Sequence, residues 1–86
     1  MHKTYCKCEL RNCLAEYFFD TRKELSLTQM AFAEKLNMDR RSYLELEHGN
    51  NMCCSLTLLI YLTCYCKDPE ELLLKCKGIL DKHGYT

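Results

Sequence analysis

The chain has 86 residues, of which 48% are apolar and 28% charged, a composition typical of one ordinary folded domain. One Pro and three Gly are too few for the many turns of a β-sandwich or barrel, so we expect an all-α fold. Twelve Lys and Arg balance twelve Asp and Glu, and a net charge of zero gives no support to a generally basic nucleic-acid-binding surface. Residues 1–43 carry eight basic and six acidic side chains, which leaves room for a local basic patch there.

Eight cysteines are a high share for a chain of this length. The first residues, MHKTYCKCELRN, show neither an apolar segment nor a small-residue cleavage site, so we expect no signal peptide and a cytoplasmic location. In a reducing compartment, cysteines within apolar helical runs are expected to be small buried residues. Five cysteines fit this description: Cys13, Cys54, Cys64, Cys66 and Cys76.

A metal site is the alternative use of these thiols. The candidates are Cys6, Cys8 and Cys13 near the start, with Cys53 and Cys54 further on. A structural zinc site normally shows two pairs of the form C-x2–4-C, and this chain has C-x-C and C-C pairs instead. We therefore expect no bound metal and no cofactor.

The first predicted helix covers about residues 6–24, where apolar residues recur at helical spacing at Leu10, Leu14, Tyr17 and Phe18. Ser26 interrupts this stripe, and Thr28 is a good N-cap for a second helix over about residues 28–36. The residues that this second helix is expected to bury are Phe32, Ala33 and Leu36.

A tight turn is predicted between the second and third helices. Asn37 tolerates the left-handed backbone conformation and so can close the second helix. Asp39 is the predicted N-cap of a third helix that ends near Glu47 or His48, and Gly49 supplies a left-handed stop.

Two further helices complete a five-helix chain. Ser55 is the predicted N-cap of SLTLLIYLTCYC, which is apolar nearly all round and is therefore expected to be buried on more than one side. This stretch is shorter than the ~20 residues of a membrane span. Asp68, followed by Pro69, begins a fifth helix that runs to about Lys82. We expect this helix to bury Leu73, Cys76 and Leu80, with Leu72 and Ile79 on its flanks.

The third helix divides into two faces. On a helical wheel, Tyr43 and Leu46 face the core together with Met38, while the outward residues are Arg40, Arg41, Leu44 and Glu45. A charged face on a short helix is usually only solvent-exposed surface. The two short helices around a tight turn give this one a further meaning, because that arrangement is the helix-turn-helix unit.

The segment LTQMAFAEKLNMDRRSYLELEHG resembles the motif of the Cro and lambda-repressor-type family, also called the XRE family. Leu27-Thr28-Gln29 matches its L-T-Q opening, and the segment from Phe32 to Leu36 matches L-A-x-x-L. Tyr43 occupies the position of an apolar Ile, and the ending from Leu46 to Gly49 is similar to I-E-x-G. Ser55-Leu56 then resembles the S-L-x-x-L helix. The resemblance covers about residues 18–66 of a single domain over 1–86, leaving an N-terminal helix extension and a C-terminal helix at 69–82.

This resemblance implies a compact five-helix, lambda-repressor-like domain that regulates transcription by binding double-stranded DNA sequence-specifically as a homodimer. The third helix, about residues 39–48, would enter the major groove. The implied base contacts are Arg40, Arg41, Leu44 and Glu45, whose side chains suit guanine, thymine methyl and cytosine edges. The implied phosphate contacts are Thr28, Gln29, Asn50 and Asn51. Either Tyr61 and Tyr65 of the fourth helix or the apolar stripe of the fifth could form the dimer interface, or they could simply be core.

Glu47 needs a partner, because a carboxylate in the last turn of a helix opposes the helix dipole and this one leans towards the core. The family pattern places an arginine late in the first helix against this glutamate, and Arg22 occupies that position. We therefore predict an Arg22–Glu47 ion pair that holds the first helix against the third.

Some features depart from the family pattern. Asn37 stands where the family usually has a turn glycine, and Cys54 stands where it usually has a loop proline. The loop NNMCC carries no charge. Few phosphate contacts mean weak binding with a shallow salt dependence. The net charge of zero and the uncharged loop favour an alternative function, a protein-interaction module of the same fold such as an antitoxin or anti-activator, with weak or no DNA binding and a partner such as a toxin. An enzyme is not expected, because the histidines are scattered at His2, His48 and His83.

Overall fold

The computed structural model describes the backbone of residues 3–85 and the side chains of residues 8–85. Within residues 3–85 the chain forms five α-helices and no strand, which confirms the all-α prediction for this part. The helices are α1 (Lys3–Glu24), α2 (Gln29–Lys35), α3 (Arg40–Glu47), α4 (Ser55–Ile60) and α5 (Pro69–Lys82). Their Cα radius of gyration is 12.8 Å, close to the ~12 Å expected for a compact domain of this length.

Three predicted N-caps are present. The Thr28 hydroxyl accepts a hydrogen bond from the Ala31 backbone N–H at 3.0 Å. Asp39 accepts one from the Ser42 N–H at 3.2 Å, and Asp68 accepts one from the N–H of the third residue of α5 at 3.0 Å. Pro69 is the first residue of α5, where its missing N–H costs nothing. The predicted starts of α2, α3 and α5 are therefore confirmed.

The ends of α2 and α3 also follow the prediction. Asn37 and Gly49 have φ angles of 62° and 79°, in the left-handed region. The Met38 N–H then donates to the Ala33 carbonyl at 2.9 Å, and the Asn50 N–H donates to the Glu45 carbonyl at 2.9 Å. These hydrogen bonds end both helices. The one at Met38 leaves only a short turn between α2 and α3, which fixes the direction in which α3 leaves α2.

Aromatic rings join four elements in the core. Phe18 of α1 stacks on Tyr61 with ring centroids 4.1 Å apart, and Phe32 of α2 meets the ring of Tyr43 edge-on at 5.7 Å. The buried cluster confirms the predicted core of α2 and consists of Leu14, Phe18, Phe32, Ala33, Leu36, Tyr43, Leu46, Tyr61 and Leu72.

Two predictions for α4 were wrong. Cys54, not Ser55, is the N-cap, and its side chain makes no capping hydrogen bond. The helix is also not buried on several sides, since Leu56 is 53% and Leu59 58% exposed. The physical reason is that α4 is only six residues long and docks by one face. The buried Thr57 hydroxyl on that face donates to the Leu36 carbonyl at 3.0 Å.

The chain continues from α4 into a π-helical turn, Tyr61–Tyr65, which the sequence analysis did not predict. Tyr61 is fully buried, so it cannot form a dimer interface. Its hydroxyl lies 2.7 Å from the Thr21 hydroxyl and donates to the Tyr17 carbonyl at 3.2 Å. The ring of Tyr65 contacts Phe32 edge-on at 5.6 Å, so it too packs on the core.

The buried face of α5 is rotated from the predicted one. Leu72 is 1% exposed, whereas Leu73, which was expected to be buried, is 55% exposed. The remaining predicted core residues of this helix, Cys76 and Leu80, are half-buried. The Tyr17 hydroxyl donates to Glu71 at 2.6 Å and so fixes the rotation of α5 against α1.

The cysteine predictions were partly wrong, because Cys54 and Cys64 are exposed, while Cys13, Cys66 and Cys76 are half-buried. Both exposed residues lie on the weakly packed α4 segment or its π-helical turn. Among the side chains that the structure describes, no group of three His, Cys, Asp or Glu residues is arranged to hold a metal ion, and Cys6 lies outside that set. No described helix has the length and apolar character needed to cross a membrane.

Candidate functional site

The solvent-facing side of α3 is formed by Arg40, Arg41, Leu44 and Glu45, here named the α3 outer face. Arg40 and Arg41 are exposed, and Leu44 and Glu45 are half-buried. Neither guanidinium group forms a hydrogen bond or ion pair with any residue that the structure describes. The α3 outer face therefore presents two uncompensated guanidinium groups beside an apolar side chain and a carboxylate.

The opposite side of α3 is fixed in the core. Tyr43 and Leu46 are completely buried, and Met38 packs against the same cluster, as the helical wheel predicted. Because these residues hold one face of α3 rigidly, the four residues of the outer face keep a defined arrangement in solvent.

A network around Glu47 holds α3 against α1 and α2. Arg22 of α1 forms a two-pronged ion pair, with Nε donating to Oε2 at 2.8 Å and Nη2 donating to Oε1 at 3.0 Å. Gln29 of α2 donates to the same Oε1 at 3.0 Å, and the Tyr43 hydroxyl donates to Oε2. The side chains of Arg22 and Glu47 are only 12% and 4% exposed. The pair predicted from the sequence is thus present and shielded from water.

These contacts fix the charge states within the network. Burial by itself would raise the pKa of Glu47, but the hydrogen bonds from Arg22, Tyr43 and Gln29 outweigh it and hold the pKa below its ordinary value of 4.5. The hydrogen bond to Glu47 raises the pKa of Arg22, and burial followed by the neighbouring carboxylate raises the pKa of Tyr43. Glu47 is therefore ionised near neutral pH, and the Tyr43 hydroxyl remains a donor.

Glu45 is held in position by the loop that follows α3. The Asn50 side-chain amide donates to Glu45 Oε1 at 2.8 Å. The other carboxylate oxygen, Oε2, accepts no hydrogen bond from any described residue. Asn50 was predicted to contact phosphate, and the structure instead brings it together with Glu45, while Asn51 is simply exposed.

Thr28 and Gln29 lie at the start of α2, next to the Glu47 network. The Thr28 oxygen serves as the N-cap acceptor, and one N–H of the Gln29 amide is used by Glu47. Each side chain keeps one further donor, the hydroxyl hydrogen of Thr28 and the second amide hydrogen of Gln29. Thr28 and Gln29, both predicted to contact phosphate, thus each form an internal hydrogen bond and keep one donor for a ligand.

Arg11 of α1 reaches the end of α3, a placement that the sequence analysis missed. Its Nε donates to the Gly49 carbonyl at 3.3 Å, and its Nη2 donates to the Cys8 sulfur at 3.3 Å. Asn12 packs against the same glycine so closely that a Cβ there would lie 2.5 Å from Asn12 Oδ1. Arg11 and Gly49 are 38 positions apart, and no local pattern in the sequence signals such a contact.

The site therefore combines the exposed Arg40 and Arg41 of α3, the Glu45 carboxylate bound by Asn50, and Arg11 of α1. Arg guanidinium groups donate hydrogen bonds in a fixed fork, and a carboxylate accepts them, so the surface can recognise groups with planar edges. Comparison of the chain with protein-family models, with curated proteins and with solved structures finds no match.

Proposed function

We propose that the protein is a sequence-specific DNA-binding transcriptional regulator with a lambda-repressor-like helix-turn-helix formed by α2 and α3. The observation that carries this proposal is the division of α3. Arg40 and Arg41 are exposed, and their guanidinium groups have no partner among the described residues, while Tyr43 and Leu46 on the opposite face are fully buried. A rigid helix with free guanidinium groups is the arrangement needed to read base edges in the major groove.

The remaining residues of the α3 outer face complement the arginines chemically. A guanidinium can donate two hydrogen bonds to O6 and N7 of guanine, and the free oxygen of Glu45 can accept one from N4 of cytosine. Leu44 lies between them along the helix and suits the methyl group of thymine. Sequence-specific contacts would therefore come from Arg40, Arg41, Leu44 and Glu45, in agreement with the resemblance of residues 27–49 to the XRE family.

We also propose that the protein acts as a homodimer. One recognition helix covers only a few base pairs, and two half-sites one helical turn apart provide the specificity that a regulator needs. The exposed Leu56 and Leu59 on α4 supply apolar surface that a second copy could bury. Because α4 follows the loop after α3, an interface there would set the spacing between the two copies of α3.

The proposal is tested by selecting bound duplexes from a random library with the purified 86-residue protein. We expect a palindromic consensus sequence. Replacing Arg40 and Arg41 together by Ala should abolish preference for the selected duplex, because each two-pronged arginine–guanine contact contributes about 1–3 kcal/mol of discrimination. The affinities are measured by titration at low and at physiological salt.

A matched control removes two exposed cations elsewhere, with Lys67 and Lys77 both replaced by Ala. These lysines form only exposed ion pairs, with Glu24 and Asp81, so the control changes net charge equally and leaves α3 intact. Equal losses in both double variants would mean that only total charge matters, and the proposal of base recognition would be wrong.

A protein-interaction module of the same fold is the second candidate function. The net charge of zero and the exposed leucines on α4 and α5 favour it. Failure to select any duplex, combined with a stable complex with a different protein such as a toxin, would support this candidate instead.

A further inference from the structure

We infer that Arg11 of α1 binds a phosphate group of the DNA backbone at the C-terminal end of the α3 outer face. This inference rests on the proposed function and adds a contact that lies outside the helix-turn-helix segment. It assigns a role to the N-terminal part of α1, which none of the contacts proposed above uses.

The contacts of Arg11 place it at that end of the face. Asn50 links the loop to Glu45, the last residue of the outer face, through a 2.8 Å hydrogen bond. Gly49, its neighbour in the chain, accepts a hydrogen bond from Arg11 Nε at 3.3 Å. Arg11 therefore contacts the loop at the C-terminal end of α3, and a duplex seated on the outer face would present its backbone beside that end.

The guanidinium of Arg11 keeps unused hydrogen-bond donors, and its positive charge has no ion-pair partner among the described residues. Of its five N–H groups, one is used by the Gly49 carbonyl and one by the Cys8 sulfur, and neither acceptor is a carboxylate. No carboxylate among the described side chains forms an ion pair with Arg11. The nearest acid in the sequence, Glu9, is paired with Lys82 at 2.9 Å and with His83, on α5 and directly after it.

A phosphate of the DNA backbone suits this environment, because the guanidinium of Arg11 can donate to its oxygens. The two internal hydrogen bonds hold the half-buried side chain in place, so little conformational freedom is lost when a ligand binds. The loop at residues 50–54 has no charge of its own. Arg11 supplies the cation that this loop lacks.

The test compares the salt dependence of binding by wild type, Arg11→Gln and Arg11→Lys to the selected duplex and to a scrambled duplex. Each neutralised phosphate adds about 0.9 to the slope of log affinity against log salt. Between about 50 and 200 mM salt, wild type should therefore lose about 3.5-fold more affinity than Arg11→Gln does. The effect should be equal on both duplexes, and Arg11→Lys should retain the wild-type slope.

Lys77→Gln, on the exposed surface of α5, is the matched control and should leave the slope unchanged. If Arg11 only anchors the loop, Arg11→Gln will lower the melting temperature and keep the wild-type slope, and this result would overturn the inference. Absence of binding by wild type itself would instead refute the proposed function.

A second measurement needs no variant. Single phosphates of the selected duplex are replaced by neutral methylphosphonates, and the slope of the wild-type protein is measured for each. We expect one sensitive phosphate just beyond the outermost base pair whose recognition depends on Glu45. If every sensitive phosphate lies elsewhere, Arg11 does not bind the backbone.

Discussion

Glu47 receives hydrogen bonds from three side chains that lie on three different helices. Arg22 comes from α1, Gln29 from α2 and Tyr43 from α3. A carboxylate removed from water needs such compensation, because an unpaired buried charge is strongly unfavourable. This residue therefore acts as the junction through which α1, α2 and α3 keep their relative positions.

Replacing Arg22 by Met should destabilise the protein by about 3–5 kcal/mol, because the change leaves Glu47 buried without its cation. Urea unfolding followed by circular dichroism measures the difference. Lys23→Met is the control, since Lys23 is exposed and a surface change of this kind stays within about 0.5 kcal/mol. Equal stability of the two variants would show that the pair contributes no more than an exposed one.

The stability of the protein should also depend on pH through Glu47. Its pKa in the folded state lies below the ordinary value of 4.5, so folding favours the ionised form. The contribution is complete above the unfolded-state pKa and is lost as the pH falls through the lower folded-state pKa. Glu47→Gln should therefore lose stability at neutral pH and show a flatter decline in acid than wild type, measured by urea unfolding at several pH values. Parallel declines would contradict this assignment.

At the residue level, the sequence predicted some contacts of the site and not others. The Arg22–Glu47 pair could be anticipated because a glutamate in a last helical turn needs a cation and the family pattern supplies one. The contacts of Asn50 with Glu45 and of Arg11 with Gly49 could not, because both depend on how the loop folds back. Arg11 in particular meets its partner only after α1 packs along α3.

At the level of helices, the sequence predicted helix ends correctly where the side chains at those ends determine them. Thr28, Asp39 and Asp68 cap helices through their own side chains, and Asn37 adopts a left-handed φ. Local patterns failed to predict which face of α5 is buried, because tertiary packing determines that face. The run Leu72–Leu73–Leu74 offers three apolar residues in a row, so only the contact of α5 with α1 determines that Leu72 is the buried one. The π-helical turn Tyr61–Tyr65 likewise has no local signal in the sequence.

Two glycines should respond to alanine in opposite directions. Gly78 lies within α5, and no atom outside the helix backbone lies within 4 Å of the place where an alanine methyl group would stand, so Gly78→Ala should stabilise the protein by about 0.5–1 kcal/mol. Gly49 has a φ of 79° and touches Asn12, so Gly49→Ala should destabilise it by at least about 1–2 kcal/mol. Thermal unfolding of both variants checks the signs. A stabilising Gly49→Ala would mean that the loop after α3 does not have this backbone conformation.

At the level of the whole molecule, α4 and α5 each expose a pair of leucines. Leu56 and Leu59 on α4 are 53% and 58% exposed, and Leu73 and Leu74 on α5 are 55% and 65% exposed. Large apolar side chains grouped on a surface commonly mark an interaction site. We expect the α4 pair to be the dimer interface, because it lies closest along the chain to the loop after α3.

Sedimentation of two double variants separates the surfaces. Replacing Leu56 and Leu59 by Ser should convert a dimer into a monomer, whereas the same change at Leu73 and Leu74 should leave the dimer intact. Both changes replace two exposed leucines, so general solubility effects are matched. Dissociation only by the α5 variant would place the interface on α5, and a monomeric wild type would contradict dimer formation altogether.

The separation of α3 into a fixed inner side and a free outer side has a consequence for variation. Because Tyr43, Leu46 and Glu47 carry the packing, changes at the four outer positions should affect folding less than changes at these three inner ones. A combinatorial library randomised at those positions should therefore yield mostly folded members. The ligand preference of the domain could then diversify rapidly, by exchange at a few codons, without any compensating change in its interior.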